Sequence, residues 1–174
     1  MGAAFVTALQ GLALLLISLV AGAMFGIWRG YDPATFGPGT FVEVHQGAVH
    51  GLNTLLPAIG LGAISSVAVL AFLARSRPAV LWFYIAAGAS MVAAALITRF
   101  GNQPINAQIM SWTAADLPDT WTALRDSWWS WHLGRLTAGI AAELLLIAAV
   151  FSDRASQARS QVVGDVRLAK GTLR

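Results

Sequence analysis

Four long runs of apolar residues set the pattern of the chain. Residues 5–28, 53–74 and 79–98 contain no charged side chain. Residues 133–151 contain two, Arg135 near one end and Glu143 near the middle. A helix of about 20 apolar residues crosses a hydrocarbon core of about 30 Å, so each run predicts a membrane-spanning helix. The expected fold is all-α: an integral membrane four-helix bundle. The first run lacks a basic leading segment and is too apolar and too long for a secretory signal, so it is expected to be retained.

Polar segments separate the runs. The stretch from Arg29 to Thr40 is rich in Gly and Pro and reads as a loop. Thr40 with Glu43 three residues on has the form of a capping box, so the second helix is expected to start there. Unbroken to Ala74 it is about 50 Å long at 1.5 Å per residue, with Pro57 as a point of kinking. Ser76–Pro78 reads as a tight connection and Phe100–Pro118 as a long loop, with Asp119 or Thr120 capping the fourth helix. Trp121, Trp128, Trp129 and Trp131 crowd the start of that helix, where an aromatic belt is expected. Helices 2 and 4 thus extend beyond the membrane. The expected organisation is a transmembrane domain over 1–151 and a basic cytoplasmic tail over 152–174, to which the pattern assigns no structure.

Composition agrees with a membrane environment. Of the 174 residues 57% are hydrophobic and 11% charged, against roughly 25% charged in soluble domains. There is no cysteine, which excludes disulfides, thiolate metal sites and cysteine nucleophiles. The net charge of +3 is concentrated in the tail, so it marks a membrane-flanking segment rather than a nucleic-acid-binding face. Arg75, Arg77, Arg154, Arg159, Arg167, Lys170 and Arg174 fall on one side of the spans; Arg29, Arg99, Arg125 and Arg135 fall on the other. The bias places both termini in the cytoplasm of a multi-pass cell (inner) membrane protein. The lipid bilayer is one expected partner; self-association into a homo-oligomer is left open.

Polar residues within or beside the spans are costly and therefore informative. Glu43, Gln46, His50 and Asn53 recur at spacings of three and four and share one helical face. Arg125, His132, Arg135 and Glu143 lie near one face of the fourth helix. Asn102-Gln103-Pro104-Ile105-Asn106 follows the third. His50, Asn102, Asn106, His132 and Arg135 are thereby expected at one depth, at the outer end of the bundle. Each has a plainer reading as well. Histidines can be solvated at the interface, the asparagines can cap a helix, Arg135 can snorkel, the tryptophans can anchor, and Glu143 can be a neutral acid bonded between helices.

Asn102, Pro104 and Asn106 after the third span, with Trp128, His132 and Arg135 entering the fourth, form the patterns N-x-P-x-N and W-x-x-x-H-x-x-R. The chain thereby resembles the anthrone oxygenase-like membrane family. The resemblance implies O₂-dependent oxidation of a flat, lipophilic aromatic substrate with an acidic methylene. A base removes a proton, and the electron-rich enolate passes an electron to O₂ without a required cofactor. Such a site needs a base, oxyanion donors and an apolar slot. His132 or His50 suits the base, and Arg135, Asn102 and Asn106 suit the oxyanion. Trp128 and Trp131 suit the slot, with Asn53 and Glu43 as further substrate contacts, although 100° per residue favours only one tryptophan facing inward.

Two other classes stay open. One is a metal- or haem-binding protein using His45, His50 and His132 with Glu43. Against it, His45 and His50 are five residues apart, about 140° around a helix. The other is a non-enzymatic membrane module that carries a lipophilic ligand or partners another protein.

Overall fold

The computed structural model describes residues 2–171. Six helices follow in order: α1 (Ala3–Gly30), α2 (Pro38–Leu52), α3 (Leu55–Leu73), α4 (Pro78–Ile97), α5 (Gln103–Ile109) and α6 (Trp121–Gly171). A 3₁₀ turn at Pro33–Thr35 precedes α2, and a π turn at Thr98–Asn102 joins α4 to α5. Among the described residues four segments are long and apolar enough to cross a membrane, containing α1, α3, α4 and α6. These pack in a closed ring, α1 on α3, α3 on α4, α4 on α6 and α6 on α1.

Each spanning helix buries one stripe and leaves the rest apolar. In α4 the stripe is Val80, Tyr84, Ala87, Met91 and Ala94, the alternating three- and four-residue spacing of one helical face. Leu15, Phe72, Trp82 and Leu144 are more than half exposed on the outer surface. Helices apolar on every side need an apolar solvent, so the outer shell faces lipid. Glu143 sits half-buried at the seam between α1 and α6, where Ser18 donates to its Oε1 at 2.7 Å.

The single long helix expected from Thr40 to Ala74 is two helices. The first begins at Pro38 behind Gly37, so Thr40 lies inside its first turn and does not cap it. The break falls at Asn53–Thr54, four and three residues before Pro57. Proline has no N–H for the carbonyl four residues back and its ring clashes with that group, here the carbonyl of Asn53.

The segment after the third span is likewise helical rather than looped. Pro104 sits in the first turn of α5, and the π turn before it widens the helix where a proline cannot donate. Gly101 makes this possible, since a Cβ there would lie 2.4 Å from the Trp131 ring. Finally, α6 does not stop near Phe151; its backbone stays helical to Gly171.

The end of the ring near the α3–α4 connection is closed by a polar knot. Asp153 on α6 is 1% exposed. It accepts from Gln10 of α1 at 2.8 Å and from Gln157 at 3.2 Å, and it pairs with Arg77. Gln10 also donates to the Tyr84 hydroxyl at 2.9 Å. The opposite end is capped by α2 and α5, which enclose Tyr31, Phe41, Val42, Ile105, Ile109 and Trp128 in a second apolar core.

Candidate functional site

At that capped end a chamber of about 500 Å³ lies between α1, α2, the α2–α3 break and α5. Ile27, Val44, Ala48, Val49, Leu52 and Leu56 make most of its wall apolar. Its polar side chains are those of Tyr31, His45, Asn53, Thr98, Gln103, Asn106 and Arg135, with the Trp128 indole beside them.

Donor-only groups fix the hydrogen-bond directions. The Trp128 indole N–H lies 2.8 Å from Asn106 and can only donate, so the Asn106 atom is its carbonyl oxygen. That oxygen lies 3.1 Å from His45 Nε2, which must therefore carry a proton. His45 Nδ1 is then the acceptor, and the Tyr31 hydroxyl donates to it at 3.0 Å. Burial pushes His45 down to about 4; the Asn106 bond opposes this and the nearby Arg135 charge adds to it. At neutral pH His45 is a neutral imidazole with Tyr31 as its proton donor.

The same logic applies to His132. Arg135 donates to His132 Nδ1 from Nε at 3.1 Å and from an Nη at 2.9 Å, so Nε2 bears the proton and donates to the Met24 carbonyl at 3.1 Å. His132 is fully buried and stacked 5.3 Å beneath Trp128 with the rings 8° from parallel. It holds the guanidinium of Arg135 in place. Arg135 has no carboxylate partner among the described residues. Its charge faces the chamber 5.7 Å from the Trp128 ring centre.

The structure brings Asn106, Arg135, Trp128 and Asn53 to the chamber. Asn102 and His132 stand behind its wall; Asn102 is fully buried, donates to the Trp128 carbonyl at 3.0 Å, and leaves its own Oδ1 without a partner. His50 and Glu43 lie exposed on the far face of α2, and Trp131 is 46% exposed outside the chamber. Gln46, on that same polar face, donates instead to the carbonyls of Ile109 and Trp112 and holds the end of α5.

The sequence pattern assigned no role to Tyr31 or Gln103 and offered His45 only as a metal ligand. A signal for His45 existed: it interrupts the apolar stripe Phe41, Ala48, Leu52 at helical spacing. No local pattern marks Tyr31.

The residues present do not fit the metal alternative. Both ring nitrogens of His45 and of His132 are engaged, and His50 points elsewhere. No group of three His, Asp or Glu side chains that could hold an ion occurs among the described residues.

The fold and this site define a class: a multi-pass, all-helical membrane protein with a mostly apolar chamber at one end of the bundle, equipped with a fixed cation and a tyrosine–histidine pair. Residues 47–145, more than half of the chain, match the family described as anthrone oxygenase, and the chain belongs to that family. Asn102, Asn106, Trp128, His132 and Arg135 lie inside the matched region, while Tyr31 and His45 lie outside it. No curated protein and no solved structure matches the chain.

Proposed function

We propose that the protein oxidises a flat, lipophilic, enolisable aromatic of the anthrone type with O₂ in the chamber beneath Trp128. The observation that carries this reading is the Arg135 guanidinium, which faces an apolar chamber with no anion to neutralise it. A half-buried cation facing an apolar space with no counter-ion is costly. An enolate oxygen supplies the missing charge, and supplies it only once the substrate has lost its proton, which is the condition for catalysis. A chamber of about 500 Å³ suits a small polycyclic ligand.

In this reading Tyr31 takes the proton from the acidic methylene while passing its own to His45 Nδ1, and Asn106 steadies the imidazolium through Nε2–H. Burial makes His45 a weak base, so the relay works because the negative charge is stabilised by Arg135 in the same step. The enolate carbon gives electrons to O₂ and forms a C–O bond. Proton return to the peroxide and loss of water leave a second ketone. One oxygen atom enters the product and the other leaves as water, so the balance closes without a further reductant. Asn102 and His132 act as positioning residues for Trp128 and Arg135.

The test is O₂ uptake by the purified protein in lipid nanodiscs with anthrone, before and after chelator. The expected result is uptake matched by quinone formation, unchanged by chelator and lost in Arg135→Met. Activity that chelator removes and one metal restores would overturn the cofactor-free chemistry. Binding of anthrone with no uptake would leave a carrier of lipophilic ligands as the better account.

A further inference from the structure

A second chamber of about 410 Å³ adjoins the first and shares with it Leu56, Pro57, Thr98, Gln103 and Arg135. The two differ in chemistry. Apart from Arg99 and the shared residues, the second is walled by apolar or small side chains of α1, α3 and α4, among them Met24, Gly60, Ile64 and Met91. The cause is visible in α3. Its first buried residue is Ala63; before it Leu56, Pro57, Gly60 and Leu61 border the chamber, while Ile59 packs on the core and Gly62 comes close to Leu16 of α1. The chamber opens sideways past Leu61 and Ala95, both exposed on the lipid-facing surface.

From Pro57 and Thr98 to Ile64 and Met91 the second chamber follows seven residues of helix, about 10 Å, the length of about eight extended methylene groups. It descends toward the middle of the membrane, while the first chamber lies at the capped end. A molecule dissolved in a bilayer has the same orientation, with its polar head at the interface and its chain toward the midplane.

We propose that the two chambers bind one amphiphile: an aromatic enol or phenol head in the first, against Tyr31 and Arg135, and an aliphatic chain in the second. This rests on the function proposed above and narrows it to substrates that carry a chain of about eight or more carbons and enter laterally between α3 and α4. Hydrocarbon lipid is as apolar as the chamber, so the second chamber adds little affinity; its effect is to admit the chain and fix the head's direction.

The experiment uses 1-hydroxyanthraquinone, a product-like ring that cannot be turned over, with and without an eight-carbon chain at C2 ending in a diazirine. Binding is measured in nanodiscs, followed by photolysis and peptide mapping. The chain-bearing compound should label the stretches holding Ile64 and Met91. Gly60→Leu, placed where an added Cβ meets open space, should weaken the chain-bearing compound about tenfold or more relative to the chainless one. Ala95→Phe, on the lipid-facing rim, should do the same if Gly60→Leu does not fold. Labelling confined to α2 or to lipid, equal loss of both compounds in the variants, or a phospholipid that the compound fails to displace would overturn the chain site alone. Failure of the chainless ring to bind the parent protein would overturn the proposed function, and the chain site with it.

Discussion

The two ends of the bundle each withdraw a charge from bulk water, Asp153 fully and Arg135 in part, and they treat it in opposite ways. At one end Asp153 is surrounded: Gln10, Gln157 and Arg77 satisfy it, and side chains from α1, α4, α6 and the α3–α4 connection meet around it. At the other end Arg135 is held by His132 and then left facing an apolar chamber. A saturated charge locks helices together. An unsaturated one, rigidly held beside empty space, is poised for something that arrives from outside. The difference locates the candidate site more firmly than any single residue does.

The comparison breaks most sharply at Arg135. Arg135→Met should reduce anthrone oxidation by about 10²–10³-fold, the usual cost of losing an oxyanion donor, while thermal unfolding in detergent stays near that of the parent. Tyr31→Phe should cost about 10²-fold in kcat, with little change in the affinity of the chainless quinone. Asp153→Ala should do the reverse. It frees Arg77 and Gln10, lowering stability by about 2–3 kcal/mol, below the range for a fully buried pair because Arg77 still reaches water. Ligand affinity should hardly move. If Asp153→Ala abolishes binding instead, the two ends are coupled and the contrast fails.

Smaller effects sharpen the picture. Gly101→Ala forces its Cβ into the Trp131 ring and should destabilise by about 1–3 kcal/mol, as overpacking does. It should also shift Asn102 and Asn106, seen as weaker binding of the chainless quinone. The mildest effect concerns pH. His45 is held neutral in the fold, down to about 4 against an ordinary 6.5. The unfolded chain therefore binds the extra proton first, and stability falls as pH drops from about 6.5 to about 4, levelling below. His45→Gln should flatten that slope in thermal unfolding followed across this pH range; an unchanged slope would show that His45 reaches water.

Much of the molecule is written in local pattern. The four spans follow from runs of apolar residues, because nothing but a helix satisfies its own backbone in hydrocarbon. Asn102, Asn106, Trp128, His132 and Arg135 carry the family motif, and the structure gathers all five in or directly behind one wall. What pattern alone misjudged was α2. Glu43 and His50 were expected to face the site because four polar residues recur on one face of the helix beside a span. This helix is not among the membrane-spanning segments, and its polar face turns outward while the apolar stripe with His45 turns in. The same spacing serves both cases; only the surrounding solvent differs, and the sequence of one helix does not state its solvent.

Sequence determined that this protein lives in a membrane, where its spans lie and which motif it carries. Tertiary structure decided which histidine borders the chamber, that Tyr31 from the end of α1 completes it, and that Asp153 beyond the last apolar run is buried. Each of those depends on contacts between segments 14 to 143 residues apart, and periodicity within a helix carries no record of what lies across from it.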